Sequence, residues 1–351
     1  MSVNYPKKSW YVAATSAEVT DTPVARRVLD TPLVLWRDSA GTVRAFHDRC
    51  AHRGFPLSEG SIAGDHLVCG YHGCTYDVDG RCVHVAPQAE VPSGMRVPTR
   101  AVFEAPPFVW VWGGTVESAT GTRPPRTPWL DDESWTTFSG SWTVAANYLM
   151  VHEHYLDFSY APVLHARDVP PGIERLPAHD DVEITETTVS YSRELPEAMP
   201  AEWEAEATGL DRSRAYSRLE QGTFASPALY VQRWCIHAPE NPDFTHIRLH
   251  AITPETPERT RVFMEISRDY ALGNDRVTEL LRSKVDELIE RDTAMVELAA
   301  ANVGYDGWCS GIEFRSDAAV MHVRRIIGRM LAKEAGRTPL PSGASAWSAG
   351  R

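Results

Sequence analysis

Four residues on two short segments have the types and spacing of a metal-cluster site. Cys50 and His52 stand as C-x-H in CAHRGFPLSEG, and Cys69 and His72 as C-x-x-H in CGYHGCTYDVDG. The Gly and Pro residues around both pairs permit tight loops. Two thiolates and two imidazoles can bind zinc or a [2Fe-2S] cluster. Zinc sites of this composition usually pair like with like. Here each loop supplies one Cys and one His, which suits two irons, the thiolates on one and the imidazoles on the other. Cys74 and Cys82 read as small core residues, with a disulfide beside the cluster as the alternative.

A second centre is legible as a carboxylate among apolar neighbours. Residues 275–303 are predicted to form a long helix. Its apolar stripe runs Leu281, Val285, Leu288, Met295, Ala299, in steps alternating four and three, and Asp292 falls in the gap. A lone carboxylate there is costly to bury unless it is paired with a buried arginine or bound to a metal.

These groups must be held by two kinds of element. Residues 10–115 are dense in short β-like runs such as TPLVLWRD, GTVRAFHD and PPFVWVWGG, punctuated by Gly, Pro and Asp. The expected division is an all-β domain at 5–115, a linker at 116–130, a second domain at 131–335 and a flexible tail at 336–351. The second domain begins with a helix around 144–159. The β-like stretches DVEITETTVSYSREL (181–195), FTHIRLHAITPE (244–255) and RTRVFMEISRDY (259–270) follow, with a shorter helix at 317–333 after the long one. The fold class is α+β.

At 351 residues the chain can bury two cores. Its formal net charge of −12 argues against a nucleic-acid-binding surface. No apolar run reaches the roughly 20 residues of a membrane span. MSVNYPKKSWYVAATS carries no apolar stretch of a signal peptide, so a cytoplasmic location is expected. The six cysteines then read as thiols or metal ligands rather than a disulfide framework.

The cluster loops and the words around them resemble the Rieske family. YPKKSWYVAATSAEV near the start and SDAAVMHVRRIIGRM near the end extend the likeness over residues 5–333. The chain as a whole resembles the oxygenase (alpha) component of Rieske non-haem iron oxygenases, in the vanillate O-demethylase and dicamba demethylase-like group. That resemblance implies an N-terminal all-β Rieske domain with Cys50, His52, Cys69 and His72 as cluster ligands. It implies a helix-grip second domain holding a mononuclear Fe(II) between two histidines and a carboxylate. The family's acidic residue, apolar pair and Glu match Asp292-Thr-Ala-Met-Val-Glu297, so Asp292 is the expected carboxylate.

The histidines depart from the pattern. The family's E-N-x-L-D-x-x-H-x4-H falls on EHYLDFSYAPVLH, residues 153–165. Asp157 takes the place of the Asp that links a neighbouring subunit's cluster histidine to the iron, and His165 that of the second iron histidine. Tyr160 replaces the first, and His154 replaces the Asn. At about 100° per residue, 154, 157 and 160 drift along one broad helix face, so an imidazole at 154 can reach a metal that Asn only approaches. His152 points elsewhere, and Pro162 is expected to end the helix. Three readings are open. One is a rearranged triad of His154, His165 and Asp292. Another makes Tyr160 a phenolate ligand. The last is a degenerate site in a non-catalytic or electron-transfer protein.

The resemblance also implies partners and chemistry. An NAD(P)H-dependent reductase or ferredoxin supplies electrons, and O2 and a small aromatic substrate are consumed by hydroxylation or O-demethylation. The assembly is a homotrimer with electrons crossing Asp157 between chains. In SPALYVQRWCIHAP (226–239), Tyr230, Gln232, Trp234 and His237 are expected on one strand face lining the substrate pocket, with Arg233 on the other.

Overall fold

The computed structural model describes residues 5–240, 242–303 and 314–336. They fall into two compact units. The tail expected at 336–351 lies, apart from Gly336, outside the described residues. Among the described residues no helix is long and apolar enough to cross a membrane.

The first unit holds Tyr5–Pro124 together with Thr253–Thr256. Its eleven strands are β1 (Trp10–Thr15), β2 (Val24–Val28), β3 (Thr31–Arg37), β4 (Val43–His47), β5 (Ser61–Ala63), β6 (His66–Val68), β7 (Thr75–Tyr76), β8 (Cys82–His84), β9 (Thr99–Arg100), β10 (Val102–Ala105) and β11 (Phe108–Trp112). They form three antiparallel sheets in the orders β1-β11-β10, β2-β3-β4-β9 and β5-β6-β7-β8. Strand β3 does not alternate: Leu33 to Trp36 are all buried, as expected of a strand covered on both faces. Val34, Trp36, Phe46, Leu57, Leu67, Tyr76 and Val97 form a core that also encloses Cys50, Cys69, Cys74 and Cys82.

In the second unit one seven-stranded antiparallel sheet dominates, in the order β12-β18-β17-β16-β15-β14-β13. Its strands are β12 (Thr136–Val144), β13 (Asp180–Ile184), β14 (Val189–Ala198), β15 (Tyr216–Ser226), β16 (Leu229–His237), β17 (Phe244–Thr256) and β18 (Arg259–Arg268). The helices are α1 (Tyr148–Asp157), α2 (Ala161–Leu164), α3 (Glu202–Thr208), α4 (Asp275–Val303) and α5 (Ala318–Glu334). Helix α4 lies against the sheet, where Val277, Leu281 and Val285 pack on Phe138, Met264 and Ile266. The α+β architecture, with its all-β first unit and a sheet holding a long helix, is the one expected.

Four local expectations are corrected. The stretch 181–195 is a hairpin, because Thr185 and Thr188 close a turn within it (Thr185 N to Thr188 O, 3.0 Å). The helix expected at 144–159 is shorter. Val144 still belongs to strand β12, Asn147 caps α1 by accepting from Leu149 N (3.0 Å), and Phe158 ends it in the left-handed region at φ +50°. Pro162 therefore does not end α1. It sits in the first turn of α2, where its missing N–H costs nothing. On α4 the buried stripe continues from Asp292 to Val296, a step of four, while Met295 and Ala299 are exposed.

Candidate functional site

The two cysteine–histidine loops are built alike. In the first, Cys50 N donates to Phe55 O (2.8 Å) and Gly54 N to Cys50 O (2.9 Å). In the second, Cys69 N donates to Cys74 O (2.9 Å) and Gly73 N to Cys69 O (3.1 Å). Each ring closes on a glycine four residues after the cysteine, at φ +71° and +68°, which an L side chain adopts only under strain. The loops follow β4 and precede β7, with the β5–β6 hairpin between them.

The result segregates the donors by depth. Both thiols are buried, each 2% exposed. His52 is exposed and His72 half-buried, their rings 4.6 Å apart. The Tyr76 hydroxyl accepts from Ala51 N (3.0 Å), which leaves its proton for Cys50 Sγ (3.1 Å). Burial raises the Cys50 pKa, but the bond from Tyr76 and the neighbouring donors outweigh it and the net shift is downward. At Cys69 burial prevails and the shift is upward. Two inner sulfurs and two outer imidazoles are a donor set that fits a [2Fe-2S] cluster. Cys74 and Cys82 are free thiols in the core.

The second centre assembles from α1, α2 and α4. Asp292 Oδ1 on α4 receives both His165 Nε2, at 2.7 Å, and His154 Nε2, at 3.3 Å. All three side chains are buried or nearly so, and His154 Nε2 has no hydrogen bond of proper geometry. Burial raises the Asp292 pKa, and the two histidines reverse this and hold it at about 2. Its partners are imidazoles rather than the buried arginine considered from sequence. An enclosed carboxylate with two ring nitrogens on one oxygen, one of them otherwise unsatisfied, is a donor set that fits an iron held by two His and one Asp.

The neighbours separate by role. The Tyr160 ring lies flat on His154, 4.0 Å between centroids and 17° between planes. Burial and the Asp292 carboxylate keep its phenol protonated. His152 is fully buried, and its Nε2 meets Pro227 O at 2.8 Å, away from Asp292. At the end of α1, Asp157 Oδ2 accepts from Ser159 Oγ (2.8 Å), while its Oδ1 is buried without a partner. Glu153 points the other way and is ion-paired with Arg324 of α5 (Oε2 to Nη2, 2.8 Å).

Beside Asp292 are two small adjoining cavities of about 70 and 30 Å³. One wall is strands β16 and β17, whose register pairs Tyr230 with His250, Gln232 with Arg248 and Trp234 with His246. These six side chains all line the cavities. The opposite wall is Val285, Leu288 and Asp292 of α4, with Phe158 and His165 completing it. Tyr230, Gln232 and Trp234 thus stand together, with Arg233 exposed on the other face. His237 does not join them. It lies an odd number of positions along the strand, so the pleat turns it away, and it pairs with Asp243 at 2.9 Å. Sequence reading missed the facing residues of β17, although His246, Arg248 and His250 alternate in FTHIRLHAI.

Known proteins agree with this architecture. Residues 9–98 match the Rieske [2Fe-2S] domain, and residues 144–333 match the vanillate O-demethylase oxygenase C-terminal domain. The chain is 28% identical to the vanillate O-demethylase oxygenase subunit of Pseudomonas sp. (strain HR199 / DSM 7063), over 94% of this chain and 96% of that one. It is 27% identical to the oxygenase component of dicamba O-demethylase from Stenotrophomonas maltophilia, over 84% and 88%. The crystal structure of dicamba monooxygenase bound to 3,6-dichlorosalicylic acid superposes with a TM-score of 0.87 at 26% identity, covering 95% of this chain and all of that one. The two matched domains and the sites within them lead to one conclusion: this chain belongs to the Rieske non-haem iron oxygenases, as an oxygenase component of the vanillate O-demethylase family, with a [2Fe-2S] cluster and a mononuclear iron as its cofactors.

Proposed function

We propose that this oxygenase component oxidises a small aromatic substrate, by O-demethylation or hydroxylation, at a rearranged iron site of His154, His165 and Asp292. The observation that carries the reading is the meeting of His154 and His165 on Asp292 Oδ1. Relatives named as vanillate and dicamba O-demethylases support the reaction class. In this reading residues 5–115 form the cluster domain, 116–130 the linker and 131–335 the oxygenase domain. Cys50, Cys69, His52 and His72 hold the cluster.

When bound, the cluster supplies one-electron transfer and the iron supplies O2 activation. The chain's own residues do the rest. Asp292 carries the negative charge that, with the two imidazoles, would hold a cation. Stacked on His154, Tyr160 fixes the angle of that ring and covers it from solvent. The apolar walls at Phe158, Ile173 and Leu288 exclude water and orient a flat ring. Asp157, half-buried at the end of α1, is the carboxylate that would meet the cluster histidine of a neighbouring chain in a homotrimer and fix the tautomer of that ring. A reductase or ferredoxin, drawing on NAD(P)H, is the electron source.

Metal counting tests the assignment. We expect three irons per chain in the native protein and two in His154→Ala, with the visible spectrum of the cluster unchanged. Tyr160→Phe should keep all three irons and show no lost charge-transfer band. If the native protein holds two irons, the site is degenerate and the chain only carries electrons. If His154→Ala keeps three while Tyr160→Phe loses one, the phenolate reading replaces ours.

A further inference from the structure

A third group of metal-binding side chains stands apart from both centres, where β16 turns into β17. Cys235 and His237 are two positions apart at the end of β16, so the pleat puts them on one face, opposite the face of Gln232 and Trp234. Asp243 meets them from the start of β17. His237 Nδ1 is 2.9 Å from Asp243 Oδ2 and 3.9 Å from Cys235 Sγ, and the three donor atoms all lie within 4.8 Å of one another. Asp243 Oδ1 accepts from Ala238 N (3.4 Å), which leaves Oδ2 for the histidine. Cys235 is buried beneath, while His237 and Asp243 open to solvent.

Two simpler readings fit less well. In a nucleophile relay the imidazole uses one ring nitrogen for the thiol and the other for the acid. Here Nδ1 faces both. Burial also raises the Cys235 pKa, so the thiol stays protonated and unreactive at neutral pH. A His–Asp pair this exposed contributes little by itself and gives no reason for a sulfur behind it. The three donors instead converge on one point. Ordinary zinc bond lengths and tetrahedral angles place S, N and O ligands about 3.3–3.6 Å apart. The observed 3.9 and 2.9 Å straddle that spacing.

We propose that Cys235, His237 and Asp243 form a zinc-class metal site on this face of the sheet, with water from the open side as the fourth ligand. One sulfur, one imidazole and one carboxylate suit Zn(II), whereas Mg(II) and Ca(II) take oxygen donors. Binding forms the Zn–S bond and releases the Cys235 proton to solvent, with no change of oxidation state. Asp269, which accepts from Thr245 N (2.7 Å), adds a second negative charge near Cys235, and Arg233 is the opposing positive one. The ion ties the end of β16 to the start of β17. Those strands carry Trp234 and His246 on their other face, so the metal braces the cavity wall without entering the cavity. The site is separate from the iron, and its zinc is retained whether or not the chain oxidises a substrate.

The test is equilibrium dialysis of the full-length holoprotein against Zn(II), with zinc and iron counted together. We expect one zinc per chain in addition to an unchanged iron content. His237→Ala and Asp243→Asn should each weaken zinc binding at least about tenfold, and Cys235→Ser should do the same. His154→Ala should keep the zinc. Co(II) in place of Zn(II) should add a near-ultraviolet sulfur-to-metal band that Cys235→Ser removes; the proposed iron ligands include no sulfur. The cluster's visible spectrum reports folding of each variant. If the buried Cys235→Ser fails to fold, the exposed His237 and Asp243 variants decide. Absence of zinc beyond the iron, or zinc retained by folded His237→Ala and Asp243→Asn, overturns the proposal. So does zinc that disappears with His154→Ala and survives His237→Ala, which places it in the iron site.

Discussion

At position 160 a tyrosine stands where the resemblance implies a histidine, and its ring covers the His154 imidazole from 4.0 Å. The two changes are coupled by packing: a flat phenol on one face of His154 leaves the ring's edge directed at Asp292. Gly73 shows the same economy in the cluster loop. Its φ of +68° admits the turn that brings Gly73 N to Cys69 O, and a Cβ there would lie 3.2 Å from Ala86 Cβ. Gly73→Ala is expected to cost about 1–2 kcal/mol and to lower cluster occupancy. Gly64, at φ +59° with nothing within 4 Å of its Cβ, is the control. Gly64→Ala should lose stability while its iron and sulfide content stays native. Iron and acid-labile sulfide per chain, with thermal denaturation, check both.

On the scale of elements, the sheet carries charges that its burial disfavours. Glu265 on β18 is 1% exposed, with Ser139 Oγ donating to Oε2 (2.8 Å) across the strand pair. Burial raises its pKa from 4.5 to about 7 against that bond. Between those values the folded chain binds a proton that the unfolded chain has lost, so stability falls as pH rises through this window. The full cost is present above about pH 7 and absent below about 4.5. Glu265→Gln should stabilise the protein at pH 8 by on the order of 2 kcal/mol and leave it nearly unchanged at pH 4.5. Glu153, also raised to about 7 by burial despite Arg324, keeps part of the slope. Denaturant unfolding at several pH values measures the difference. A gain at pH 4.5 equal to that at pH 8 would contradict the linkage.

For the whole molecule the prediction concerns the proposed electron delivery between the chains of a trimer. Asp157 holds no ligand of the proposed triad, yet its Oδ1 is buried and unpaired at the end of α1. Asp157→Asn should leave three irons per chain and a trimer by light scattering. It should cut substrate-coupled turnover by about 10- to 100-fold. Reduction of the cluster by dithionite should be unaffected, because the cluster and its ligands are untouched. Loss of the trimer with loss of activity would assign Asp157 to assembly instead. Among the described residues Asp157 also accepts from Ser159, so Ser159→Ala provides a milder version of the same test.

Local spacing was enough to read the cluster loops, the long helix bearing Asp292 and the α+β class. Two Cys–His pairs and an acid in an apolar stripe are short-range patterns, and short-range patterns follow from backbone geometry and burial alone. The sequence could also name His154 and Tyr160 as the residues that break the family pattern. It could not choose between them, because that choice depends on where α2 returns the chain after Phe158 reverses it. Nor could it reveal Arg248, whose Nε is enclosed without a hydrogen-bond partner among the described residues. Its isolation depends on which carboxylates on β15 and α4 are already occupied, and those partners come from 12 to 138 residues away in other segments. Strand pairing and helix packing decided which charges meet a partner, and so which were left facing the cavity.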